Sequence, residues 1–134
     1  MSKEVITPSE AQWTIDLNWL KTNKRSFSTL AGGSLCDKCR KKLKADITEV
    51  KPADILKAIQ NCCSKNNDFI TPAVSFQESI FRVFLANGNK PLTLEELGKQ
   101  LAQRRGADST RNSVAFLSRL MQNDDFYGIK AKQV

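Results

Sequence analysis

The chain has 134 residues, 40% hydrophobic and 26% charged, the length of one domain or two very small ones and the balance of a soluble globular protein. It contains no histidine, which excludes Ser-His-Asp and Cys-His catalysis and any His-ligated metal. The net charge is +7, and all of it lies between Lys21 and Lys44, where eight basic residues face only Asp37; such a patch attracts polyanions, nucleic acid first, while a solvated face that aids solubility is the plainer alternative.

No stretch approaches the roughly 20 apolar residues that cross a bilayer, and Met1 to Pro8 lack the apolar core of a signal peptide, so the expected location is cytoplasmic, without membrane contact. Residues 1–9 are polar and predict a loose arm. From Ala11 to Leu30, the apolar residues Trp13, Ile15, Leu17, Trp19, Leu20, Phe27 and Leu30 fit one or two short helices. The alternation at 13, 15, 17 and 19 fits a strand equally well. Trp13 and Trp19 can stack bases, but anchoring in a core is the stronger reading. Ala31-Gly32-Gly33-Ser34 breaks the chain. A basic segment with two cysteines follows, Leu35 to Lys44. Pro52 then suits the first position of a helix running to about Ser64. Polar Lys65-Asn66-Asn67-Asp68 and then Thr71-Pro72 mark a boundary. The expected organisation is an arm at 1–9, a basic helical module with four cysteines at 10–72, and a second module at 73–134.

The four cysteines form two pairs, Cys36-x2-Cys39 and the adjacent Cys62-Cys63. On helices, Cys36, Cys39 and Leu43 share one face, and Ile55, Leu56, Ile59, Cys62 and Cys63 fall within about 120°. Both pairs can therefore meet across one helix–helix contact. Adjacent cysteines diverge by about 100° on a helix, so joint ligation by Cys62 and Cys63 needs a break at the helix end. A structural Zn²⁺ is the leading reading; core thiols or a redox pair, and an iron–sulfur cluster, are the alternatives. No phosphate-binding loop or nucleotide fingerprint is present, and no enzyme is expected.

From Val74 the pattern sharpens. Phe76, Ile80, Val83 and Phe84, widened by Phe81 and Leu85, predict a largely buried helix stopped by Asn87-Gly88-Asn89. Thr93-Leu94-Glu95-Glu96 is a capping box with Leu92 and Leu97 at the staple positions. Its helix runs to about Arg104 and turns at Arg105-Gly106-Ala107. Asp108 caps a third helix that ends near Asn123, and Phe126 to Lys132 alternates as a strand. In the third helix Val114, Phe116, Leu117, Leu120 and Met121 make the inner face, while Arg111, Asn112, Ala115, Ser118, Arg119 and Gln122 make an outer face without an acid.

This order of elements, over roughly Val74 to Lys132, resembles the winged helix-turn-helix superfamily. One strand follows the third helix, where a two-stranded wing needs more sequence. The resemblance implies that the third helix lies in the major groove, with Arg111 and Asn112 nearest the bases and Ala115, Ser118 and Arg119 behind them. It places Arg104 and Arg105 at phosphates, with Lys38, Arg40, Lys41, Lys42 and Lys44 as a second basic contact. The expected protein is mainly α with a small β element: a small DNA-binding transcriptional regulator with a structural metal site. The alternatives are an adaptor for protein or ribosomal RNA, and a DNA-binding regulator that senses redox state.

Overall fold

The computed structural model describes residues 11–43, 50–67, 69–71, 73–105 and 114–131. The arm at 1–9 lies outside them. In chain order the elements are β1 (Gln12–Ile15), α1 (Leu17–Thr22), α2 (Phe27–Gly32), α3 (Asp37–Leu43), α4 (Pro52–Asn61), a 3₁₀ turn (Cys63–Lys65), α5 (Phe76–Ala86), β2 (Leu92–Thr93), α6 (Leu94–Arg105), α7 (Val114–Gln122) and β3 (Ile129–Ala131). The fold is mainly helical with one small antiparallel sheet.

Local chemistry sets most of the boundaries. Trp13 and Ile15 point into the core from β1. Asp16 then ends the strand, its carboxylate accepting the Trp19 N–H at 3.0 Å and capping α1. The apolar alternation at 13, 15, 17 and 19 is thus half strand and half helix, and Leu17 is left 39% exposed. Ser26 and Ser75 cap α2 and α5 by accepting the Thr29 and Glu78 N–H groups. Pro52 opens α4, where a missing N–H costs nothing. Ahead of α6, Thr93 Oγ1 accepts the Glu96 N–H at 3.2 Å and Glu96 Oε1 accepts the Thr93 N–H at 3.0 Å, a complete capping box.

The sheet order is β2-β1-β3, both pairings antiparallel, so the amino-terminal strand sits between two strands from the far end of the chain. Trp13 is in register with Leu92 on one side and Ala131 on the other, and Ile15 with Ile129. Asn89 fixes this register from a left-handed conformation, φ 62°. Its Oδ1 accepts the Thr14 hydroxyl and the Ile15 N–H, each at 2.8 Å, and its Nδ2 donates to the Ile15 carbonyl at 3.0 Å. Gly128, at φ +72°, lies so close to Leu20 that a Cβ would stand 2.8 Å from Leu20 Cγ. Only glycine meets both demands.

One hydrophobic cluster runs through both halves, from Trp13, Phe27, Ile55 and Ile59 to Phe81, Phe84, Leu97, Leu101 and Leu117. The residues that the sequence divides at 72/73 therefore share a sheet and a core. Packing passes from α2 to α4, α5, α6 and α7 in succession, while α3 joins none of these helix pairings.

Tyr127 locks the carboxyl-terminal loop to α5, its hydroxyl donating to Glu78 Oε1 at 3.2 Å and its ring lying 5.0 Å from Phe81. Burial, and then the negative charge of Glu78, push its phenol up to about 12. The unfolded chain ionises first, near pH 10, so this group's contribution to stability is intact below that pH and is lost as pH rises toward 12. Spectrophotometric titration of this single tyrosine should give a midpoint near 12, with Glu78→Gln bringing it down. A midpoint near 10 in the folded protein would refute the buried contact.

Candidate metal centre

The turn Gly33–Cys36 leads from α2 into α3, which places Cys36 just before the helix and Cys39 one turn inside it. The other two cysteines come from the end of α4. Cys62 leaves helical geometry at φ −134° and ψ −68°, and Cys63 starts the 3₁₀ turn. This is the break that two adjacent ligands require, because it turns both sulfurs toward the same point. All four Sγ atoms lie within 4.8 Å of one another. Cys36 Sγ is 3.8 Å from Cys62 Sγ and 3.5 Å from Cys63 Sγ. A tetrahedron of 2.3 Å metal–sulfur bonds has edges of about 3.8 Å. None of the four forms a disulfide.

The surroundings are shaped for sulfur anions. The Cys36 N–H donates to Cys63 Sγ at 3.2 Å. The Cys39 backbone N–H faces the Cys36 sulfur and holds that thiol down to about 7, against the opposing effect of burial. Burial pushes the thiols of Cys39 and Cys63 upward. Without a cation, at least these two sulfurs are neutral. With one, four thiolates around a divalent ion leave two negative charges, and cations flank both sides. Lys38, Lys42 and Lys57, with Asp54 as the one acid, line a cleft that reaches Cys39 and Cys62. Arg40 and Arg82 line another that reaches Cys36 and Cys63. Groups in such positions orient ligands and tune the affinity of a metal.

The residues expected to meet nucleic acid divide into four sets. Lys38, Arg40, Lys41 and Lys42 are exposed on α3, while Cys39 between them is buried. Ala115 and Arg119 are exposed on α7. Lys44, Arg111 and Asn112 lie outside the described residues. In the remaining three the polar groups are engaged by the protein itself: Arg104 is exposed, Arg105 half-buried and Ser118 buried. Arg104 donates to the Ser64 carbonyl at 2.8 Å and stacks over Phe69. Arg105 donates to the carbonyls of Thr71 and Val74 and to Ser79 Oγ. These two arginines tie the connection between α4 and α5 to α6. Ser118 belongs to the inner side of α7, 6% exposed, and accepts from Gln122 Nε2 at 3.0 Å. Its small side chain lets that face approach its neighbours, whereas the helical wheel alone placed it outward. Trp13 is a core residue, and Trp19 is half-buried beneath the Lys130 ammonium, 4.5 Å from its ring.

Sequence reasoning did not single out Ser34, Lys57 or Arg82. Arg82 had one legible signal, a lone charge inside the apolar run Ile80-Phe81-Arg82-Val83-Phe84. Ser34 and Lys57 had none, since the turn and helix that carry them gain meaning only from what packs opposite.

No family model, no curated protein and no solved structure matches this chain.

Protein purified without chelator should carry one metal ion per chain, with the four thiols unreactive until the metal is removed. Cys39→Ser should reduce metal content and expose the α3–α4 region to proteolysis before the sheet. Metal-free protein with four freely titrating thiols and an unaltered fold would contradict the centre.

Proposed function

We propose that this chain is a small DNA-binding regulator whose amino-terminal half is organised by one structural zinc ion. The observation that carries the reading is the set of four sulfurs within 4.8 Å of one another, drawn from two separate helix ends. That span suits a single ion better than an iron–sulfur cluster, whose thiolates ligate separate irons and spread further apart. Four protein ligands leave no open coordination position, so the ion's role is to hold the fold.

Two features support DNA as the partner. The exposed cations of α3 are held in a fixed array beside the centre rather than on a free tail. A rigid array releases counterions from a polyanion at a lower cost in conformational entropy. The second feature is topological. In the resemblance to winged helices, one wing strand was missing after α7. Here β1 supplies an antiparallel strand between β2 and β3, which gives α5, α6 and α7 a three-stranded sheet. Ala115 and Arg119 then face solvent from α7, as a groove-reading helix requires.

A rival reading makes the same surface an adaptor for protein or ribosomal RNA. One observation favours it: Ser118 is buried on α7, which leaves that helix fewer polar groups for bases, and Arg104 and Arg105 at the end of α6 already donate to carbonyls of the protein rather than standing free for phosphates.

Selection from random duplexes followed by titration separates the two. The regulator reading expects an enriched site, weakened by Arg119→Ala by about 1–3 kcal/mol with non-specific binding nearly intact. It also expects Lys41→Ala with Lys42→Ala to flatten the salt dependence by about 0.9 per lost phosphate contact, without changing preference. No enriched site, together with an unaltered salt slope, would give the lead to the adaptor.

A further inference from the structure

Beside the metal centre, on the side of Cys36 and Cys63, lies a cleft of about 310 Å³ between the turn that precedes α3 and the middle of α5. Its floor holds an anomaly. Ser34 is 7% exposed, and its hydroxyl has no hydrogen-bond partner among the described residues. A buried hydroxyl left this way costs free energy unless something in the cleft engages it. The oxygen has almost no accessible surface as placed, so it meets a partner by rotating about its Cα–Cβ bond into the cleft, whose volume is roughly ten times that of a water in the liquid.

The other polar groups around the cleft are mostly donors. Arg82 reaches it from α5, held in place by Nε to Glu78 Oε2 at 3.2 Å and by one terminal nitrogen to the Phe69 carbonyl at 2.7 Å. That leaves its second terminal nitrogen uncommitted among the described residues. Arg40 reaches it from α3, with one long contact of 3.4 Å to the Gly33 carbonyl. The Asn66 side chain completes the ring. Asp37 is the acid on the lining, and it is exposed at the rim. The guanidinium of Arg40, the free terminal nitrogen of Arg82, a hydroxyl and an amide match an acceptor-only group with several oxygens. The thiolates of the centre oppose an anion here, but three lysines against one acid, Lys38, Lys42 and Lys57 with Asp54, offset their charge from the opposite side.

We propose that this cleft is a receptor for a phosphate monoester, held by the Ser34 hydroxyl and the guanidinium groups of Arg40 and Arg82. A monoester carries close to two negative charges and three terminal oxygens, enough to engage all three residues. Its source is either a free nucleotide or the phosphorylated end of a nucleic-acid strand. The proposal does not depend on how α7 is used.

The test is calorimetry and thermal melting of the full chain with four probes: inorganic phosphate, adenosine 5′-monophosphate, and one oligonucleotide bearing either a 5′-phosphate or a 5′-hydroxyl. The nucleotide should bind and raise Tm. Ser34→Ala and Arg40→Gln should each weaken it about tenfold or more, the loss expected for a hydrogen bond to a charged group. Without ligand, Ser34→Ala should melt no lower than the parent, because it removes an unpaired polar atom, so a binding loss cannot be ascribed to misfolding. A tenfold advantage of the 5′-phosphate strand over the 5′-hydroxyl strand would support a strand end as the source. Equal strand affinities with tight mononucleotide binding would support a free nucleotide. Failure of every phosphate probe to bind the parent, or binding that both variants leave unchanged, would overturn the proposal. A failed duplex selection would leave this result untouched.

Discussion

A seven-residue helix that carries four cations has little reason to exist alone, and that constraint governs the amino-terminal half of this protein. Helices this short are unstable in water. Lys38 and Lys42 stand one turn apart and repel, only partly relieved by the favourable placing of Arg40, Lys41 and Lys42 in the last turn. α3 joins none of the helix pairings that run from α2 to α7. Cys39 is its buried residue among the described side chains. The four-sulfur cluster joins α3 to the end of α4. A metal bond in that position contributes far more than the few contacts one thiol makes as a small hydrophobe. The same tether sets the positions of the basic face outside it and the cleft beside it.

The remainder of the structure depends on β1. A four-residue strand beside partners of two and three residues is a weak unit by itself. It persists because Trp13 and Ile15 are core residues and because Asn89 satisfies the Thr14 hydroxyl and both backbone groups of Ile15. With β1 between β2 and β3, the cysteine-bearing half and the helical carboxyl-terminal half share one core. The cysteine cluster is connected to that core through α4, whose Ile55 and Ile59 are fully buried and which packs on α5.

What the sequence disclosed follows the range of the interactions involved. Thr93 and Glu96, Pro52, and the apolar stripe of α5 are local signals, read from residues three or four apart, and they place their elements well. The cysteine pairs were legible because thiols so spaced have few uses, and the helix break at Cys62 followed from the geometry of adjacent ligands. The pairing of β1 was not legible. Its partners lie some 80 and 115 residues away along the chain, and the alternation around residues 13–19 and 126–132 does not say which strands pair. The engagement of Arg104 and Arg105 by backbone carbonyls, and the burial of Ser118, were hidden for a related reason. An arginine at a helix end reads as a phosphate contact until the carbonyls of a distant connection, such as those of Ser64 and Thr71, are seen to need donors. Ser34 in a glycine-rich turn likewise reads as punctuation until its hydroxyl is found buried and unpaired.

Four thiolates sharing a single ion is the proposal on which the regulator reading depends most. X-ray absorption at the metal edge, on protein as purified, tests that directly. It should return zinc surrounded by four sulfur atoms at about 2.3 Å, with no metal neighbour. A shell of iron neighbours, or oxygen and nitrogen atoms in place of two or more sulfurs, would contradict it.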